Sequence, residues 1–123
     1  MNRMMTILLL TLFSINAEAS DDIFKKLPKE EYAWQALHLV DVVQTYKIAS
    51  QPDRFYEKNH ILGRHPSKTD VIVWGVATSV VHAALIYHMQ EQNVDPRFIK
   101  FVQYVSITHK GVMVYKNFKL GLP

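Results

Sequence analysis

Residues 71–89 read VIVWGVATSVVHAALIYHM, a run without Asp, Glu, Lys or Arg. As an α-helix it spans roughly 28 Å at 1.5 Å per residue, close to the hydrocarbon thickness of a bilayer. Ahead of it, Ser67-Lys68-Thr69-Asp70 has the form of a capping box, and His65-Pro66 marks the boundary. Gly75, Thr78, Ser79 and His82 recur at spacings of three and four. One side of this helix, about 67–90, therefore carries small and polar residues suited to close packing.

Downstream, Asp95-Pro96 supplies a cap and a first-position proline for a third helix over about 96–116. Gln103, Ser106 and Lys110 lie on one side of it and Asn117 continues the row, with Gly111 as a candidate packing notch. Lys100 and Lys110 read as cations that snorkel from the helix ends. Upstream, the pattern predicts a helix over about 28–50, with Pro28 in the first turn and Glu30 and Glu31 at the positive end of its dipole. Its polar positions Gln35, His38, Asp41 and Gln44 fall three apart, and Thr45 joins them, making one stripe. Between these two helices lies a loop over 51–66. Loops of that length in compact domains are often functional. Phe55, Tyr56, Ile61 and Leu62 are expected to tuck it against the helices.

Residues 1–19, MNRMMTILLLTLFSINAEA, read as a signal peptide. Arg3 is the charged n-region, Met4 to Ile15 an apolar run too short to span comfortably, and Ala17-Glu18-Ala19 a small-x-small cleavage pattern. An uncleaved anchor is the alternative. With no cysteine in the chain, disulfides, zinc–thiolate sites and thiol nucleophiles are excluded.

The 123 residues allow one domain, 20–123 after the signal, and the 49% hydrophobic content suffices for a core. Net charge is +3, but the basic residues are spread along the chain, so a nucleic-acid partner is not expected. The fold expected is all-α: a small three-helix bundle, membrane-embedded, in or on the inner membrane. Mean hydropathy is −0.03, low for a chain that crosses repeatedly, so a soluble periplasmic bundle is the alternative placement.

Residues 38–67, HLVDVVQTYKIASQPDRFYEKNHILGRHPS, carry a resemblance. Asp41, Gln44-Thr45, Pro52-Asp53-Arg54, Glu57, Asn59, Leu62-Gly63 and His65-Pro66-Ser67 resemble the shared pattern of a family of small uncharacterised membrane-associated proteins of Gram-negative bacteria and their phages. His82, Gln103 and Asn117 match as well. His60 departs from it, since the family has proline there. The resemblance implies a membrane-associated helical protein and brings no activity with it.

The chemistry-bearing candidates are His38, Asp41, Gln44, Thr45, Glu57, Asn59, His82, Gln103 and Asn117. If the first two helices are antiparallel neighbours, His82 faces the stripe. These residues then form a hydrogen-bonded network that fixes helix register, because buried polar groups must be partnered. The alternative is a divalent metal held by His38, Asp41, Glu57 and His82, ligand types suited to zinc or iron. A third is proton or ion movement through the bilayer. No catalytic residue stands out: Ser67 is a cap without a nucleophile-elbow context, and there is no Gly-rich phosphate loop. The expected function is thus a non-enzymatic envelope or inner-membrane protein acting through self-association or partners. A small metal-binding or hydrolytic envelope protein is the alternative.

Overall fold

A computed structural model describes residues 25–58 and 61–122; the signal peptide expected over 1–19, Asn59 and His60 lie outside them. The described residues form three helices and no strand: α1 (Lys29–Ser50), α2 (Lys68–Glu91) and α3 (Pro96–Lys119). These bounds lie within three residues of those expected.

Local chemistry accounts for most of the boundaries. Pro28 is the residue before α1 rather than its first position, extended and with no side-chain cap, so Glu30 and Glu31 carry the favourable charge at that end. At the start of α2 the Ser67 hydroxyl accepts from the Asp70 amide (3.0 Å) and the Asp70 carboxylate accepts from the Ser67 amide (3.2 Å). Asp95 caps α3 through the Arg97 amide at 2.9 Å, with Pro96 first in the helix. The far end of α3 closes in a Schellman motif that sequence reading missed. Gly121 takes a left-handed φ of 84°. Its amide donates to Phe118 O at 3.0 Å, the Leu122 amide donates to Asn117 O at 3.1 Å, and Leu122 is buried.

Within the loop the Glu57 amide donates to Arg64 O at 2.8 Å. Phe55 and Leu62 are half-buried, as expected, but Tyr56 and Ile61 are exposed; Tyr56 instead lies under the Arg64 guanidinium. A second correction concerns Gly111, which is no notch: a side chain there would meet open space. Gly75 is the notch, since a Cβ on it would lie 2.7 Å from a Val42 methyl.

α1 is the central element. It packs along both α2 and α3, while those two touch each other little. Apolar packing concentrates near the α2–α3 turn, where Leu27, Ala83, Ile86 and Ile99 form a cluster with Tyr87, Met89, Val94 and Val102 against it. Elsewhere Trp34, Ile48, Val71 and Val114 share the interior with buried polar groups. Glu31, His38, Asp41, Gln44, Gln103 and Lys110 are buried, whereas Leu39, Val43, Phe101, Tyr104 and Tyr115 are exposed. By length and composition α2 is a candidate membrane span, with a mean hydropathy of 1.6 over its best window and 22% of that window buried.

Candidate functional site

The inward face of α1 carries Glu31, Trp34, His38, Asp41, Thr45 and Ile48, all buried. Their alternating spacing of three and four is a heptad seam, which keeps one stripe facing its neighbours along the whole helix. Most of its occupants are polar, so each must find a partner across the bundle.

At the level of the α1 N-terminus, His82 Nδ1 stands 2.9 Å from both carboxylate oxygens of Glu31, and the Glu31 side chain is fully buried. Gln35 donates to the same carboxylate (2.8 Å) and to the Ser79 carbonyl (3.0 Å), and accepts from the Ser79 hydroxyl. Below this layer Trp34 stacks with two imidazoles, His82 at 3.7 Å and His38 at 4.8 Å between ring centroids. His38 Nε2 donates to the Gly75 carbonyl at 2.8 Å. A carbonyl can only accept, so this bond places a proton on Nε2. The contact depends on Gly75, because the absent Cβ lets the two backbones approach.

One turn further along, the Lys110 ammonium donates to Asp41 at 2.8 Å and sits 5.6 Å from the Trp34 ring centroid, within cation–π range. Lys110 is therefore no snorkelling residue at a helix end; it is buried mid-bundle as the counter-ion of Asp41. Lys100 is exposed. The last layer ties α1 to α3: Gln44 donates to Val114 O at 3.3 Å and accepts from Asn117 at 3.1 Å.

The structure thus brings His38, Asp41, Gln44, His82 and Asn117 into one interior seam. Thr45 is buried in the same face. Gln103 is buried facing a second cavity, with Glu30 and Lys100 on its rim, and its Nε2 has no partner among the described residues. Glu57 stays in the loop, accepting from the Lys58 amide at 2.9 Å, and borders the same cavity as His38 and Asp41. The four side chains considered for a metal go to different partners: His38 to a carbonyl, Asp41 to Lys110, Glu57 to the Lys58 amide and His82 to Glu31. Among the described residues no three His, Asp or Glu side chains form a group able to hold a metal ion.

Sequence reading missed Glu31, Trp34 and Lys110 as members of the network. The signal was present: running the polar stripe back by seven from His38 lands on Glu31, and the α3 row already contained Lys110. Comparison with protein-family models, curated proteins and solved structures gives no significant match.

Proposed function

We propose that the chain is a non-enzymatic integral membrane protein whose three helices each cross the bilayer, held in register by the internal polar network. The supporting observation is the inverted distribution of side chains. Between residues 32 and 46 of α1, every exposed position is apolar: Tyr32, Ala33, Ala36, Leu39, Val43 and Tyr46. On α2 the exposed positions from 71 to 87 are Ile72, Val76, Val80, Val81 and Leu85. On α3 between 101 and 115 only Thr108 and His109 interrupt an exposed face of Phe, Tyr and Val. Leu39 is 64% and Phe101 62% exposed, while Glu31 and Gln44 are at 0%.

Water would select the reverse arrangement, since contiguous apolar faces of this extent are not left in solvent by stable monomers. Lipid selects the observed one: apolar faces outward, polar groups paired inside. The low mean hydropathy is no obstacle, because it averages over the polar seam as well as the lipid-facing surface. Helices of 22 to 24 residues are roughly 33–36 Å long, enough to cross with some tilt. Asp41 and Lys110 cancel as charges at 2.8 Å, and His82 and Gln35 hydrogen-bond the buried Glu31 carboxylate. Partnered in this way, both sites are compatible with a low-dielectric setting.

The network also supports the function class. A bundle whose interior is held in register by these bonds, with a mostly apolar exposed face midway along each helix, acts by presenting a defined helical surface in the membrane to copies of itself or to other envelope proteins. The test is alkaline carbonate extraction of membranes from cells expressing a C-terminally tagged copy. Retention in the pellet is expected. Release into the wash would overturn the proposal and leave a bundle covered in water by some other means.

A further inference from the structure

We propose that the end of the bundle carrying the 51–66 loop binds the phosphate headgroups of anionic phospholipids, an inference that rests on the reading of the chain as a membrane protein. The basic residues are spread along the sequence, but the fold gathers them. Glu31 meets His82 and His38 meets Gly75, so α1 and α2 run antiparallel. Asp41 meets Lys110 and Gln44 meets Asn117, so α1 and α3 run parallel. The end of α1, the loop, the start of α2 and the end of α3 therefore share one end of the bundle. Arg54, Lys58, Arg64, Lys68, Lys116 and Lys119 stand there, all exposed.

Four of these cations lie against aromatic rings. Arg54 is 5.2 Å from the Phe55 centroid, Arg64 4.6 Å from Tyr56, Lys68 5.7 Å from Tyr46 and Lys119 5.1 Å from Tyr115. The Lys68–Tyr46 contact joins α2 to α1, so the collar reaches all three helices and the loop. A ring holds a cation through its quadrupole and carries no charge to cancel it. None of the six cations forms a salt bridge among the described residues. The described carboxylates at this end are Asp53, Glu57 and Asp70, and even with all three counted as full charges the six cations remain in excess. At the opposite end no cation lies over a ring among the described residues, and Arg97 is held by Asp95 at 3.1 Å.

Position along the helices selects lipid as the source of the anion. Tyr46 ends the apolar exposed face of α1, Lys68 lies one turn before Ile72, the first exposed apolar residue of α2, and Lys116 follows Tyr115 on α3. In a bilayer that covers these faces the collar falls at headgroup depth, where tyrosines and long cationic side chains settle. Arginine there offers a fork of N–H donors to phosphate oxygens, and lysine a point charge.

Electron spin resonance of the full-length protein reconstituted in phosphatidylcholine bilayers tests this, with spin-labelled phosphatidylglycerol or phosphatidylcholine as the probe. Lipid held at the protein surface gives a motionally restricted signal. At low salt phosphatidylglycerol is expected to associate at least about twofold more strongly than phosphatidylcholine. That is a fraction of the roughly fivefold one basic residue supplies near an anionic headgroup layer, averaged over all lipids touching the bundle. The preference should vanish at about 1 M salt, where the screening length is about 3 Å. Arg54→Gln/Lys58→Gln/Arg64→Gln should lose at least about half of it. Lys25→Gln/Lys26→Gln/Lys29→Gln, which removes equal charge from the opposite end, should keep it. Where the loop variant loses the wild-type helical circular dichroism, Lys116→Gln/Lys119→Gln takes its place. Equal association of the two lipids, a preference that survives salt, or an equal fall in the variants of both ends would overturn the headgroup site and leave the membrane reading standing. No restricted signal with either lipid would overturn the membrane reading, and the site with it.

Discussion

Removing the ammonium of Lys110 while leaving Asp41 in place tests the polar interior at its centre. Their side chains are 9% and 11% exposed, and the N–O distance is 2.8 Å. At an effective dielectric near 20, Coulomb's law gives about 6 kcal/mol of attraction at that separation, most of it offset by desolvation of the two groups. The pair is therefore worth little net relative to an apolar pair of the same shape. Breaking it is a different matter, because a lone buried carboxylate keeps the desolvation cost without the attraction. Lys110→Met keeps the stem and should cost about 3–5 kcal/mol, as should Asp41→Leu, which strands the ammonium beside Trp34. The double variant Asp41→Leu/Lys110→Met should return to within about 1 kcal/mol of the wild type or exceed it. Reversible unfolding in mixed micelles of rising SDS fraction, followed by tryptophan fluorescence, measures all four corners of the cycle. If Lys110→Met costs under about 1 kcal/mol, the range of a solvent-exposed pair, the buried ion pair is refuted and with it the organisation of the seam.

The same assay reports on the backbone. Gly75→Ala places a Cβ 2.7 Å from a Val42 methyl and pushes α2 off α1 at the carbonyl that holds His38, so a loss of about 1–3 kcal/mol is expected, with Val42→Ala restoring most of it. Gly63 and Gly111 should move in opposite directions. Gly63 has φ +82°, so alanine there should destabilise by about 1 kcal/mol, whereas Gly111 is helical with open space at its Cβ and alanine should stabilise by up to about 1 kcal/mol.

Where the helices begin and end was legible because capping is local. Ser67 and Asp70 are three residues apart, Asp95 and Arg97 two, and no distant contact is needed for either bond. The polar stripe of α1 was legible for the same reason, since helical periodicity alone puts His38, Asp41 and Gln44 on one side. The direction in which that stripe faces was not. An amphipathic helix looks alike whether its polar side meets water or its polar side is buried and its apolar side meets lipid; only the packed bundle showed that it points inward. Partner choice was likewise tertiary. Asp41 meets Lys110 across 69 residues and Glu31 meets His82 across 51, so these pairings depend on how α1 crosses α2 and α3. Lys110 shows the difference most plainly. Its spacing placed it on the polar side of α3, but nothing within a helical turn of it indicated that its charge would be buried against an aspartate and a tryptophan. The sequence by itself determined which segments are helical and which of their sides are polar, since both follow from bonds and spacings within a few residues. Tertiary structure decided which side became the interior, because that depends on the sum of burial over all three helices at once.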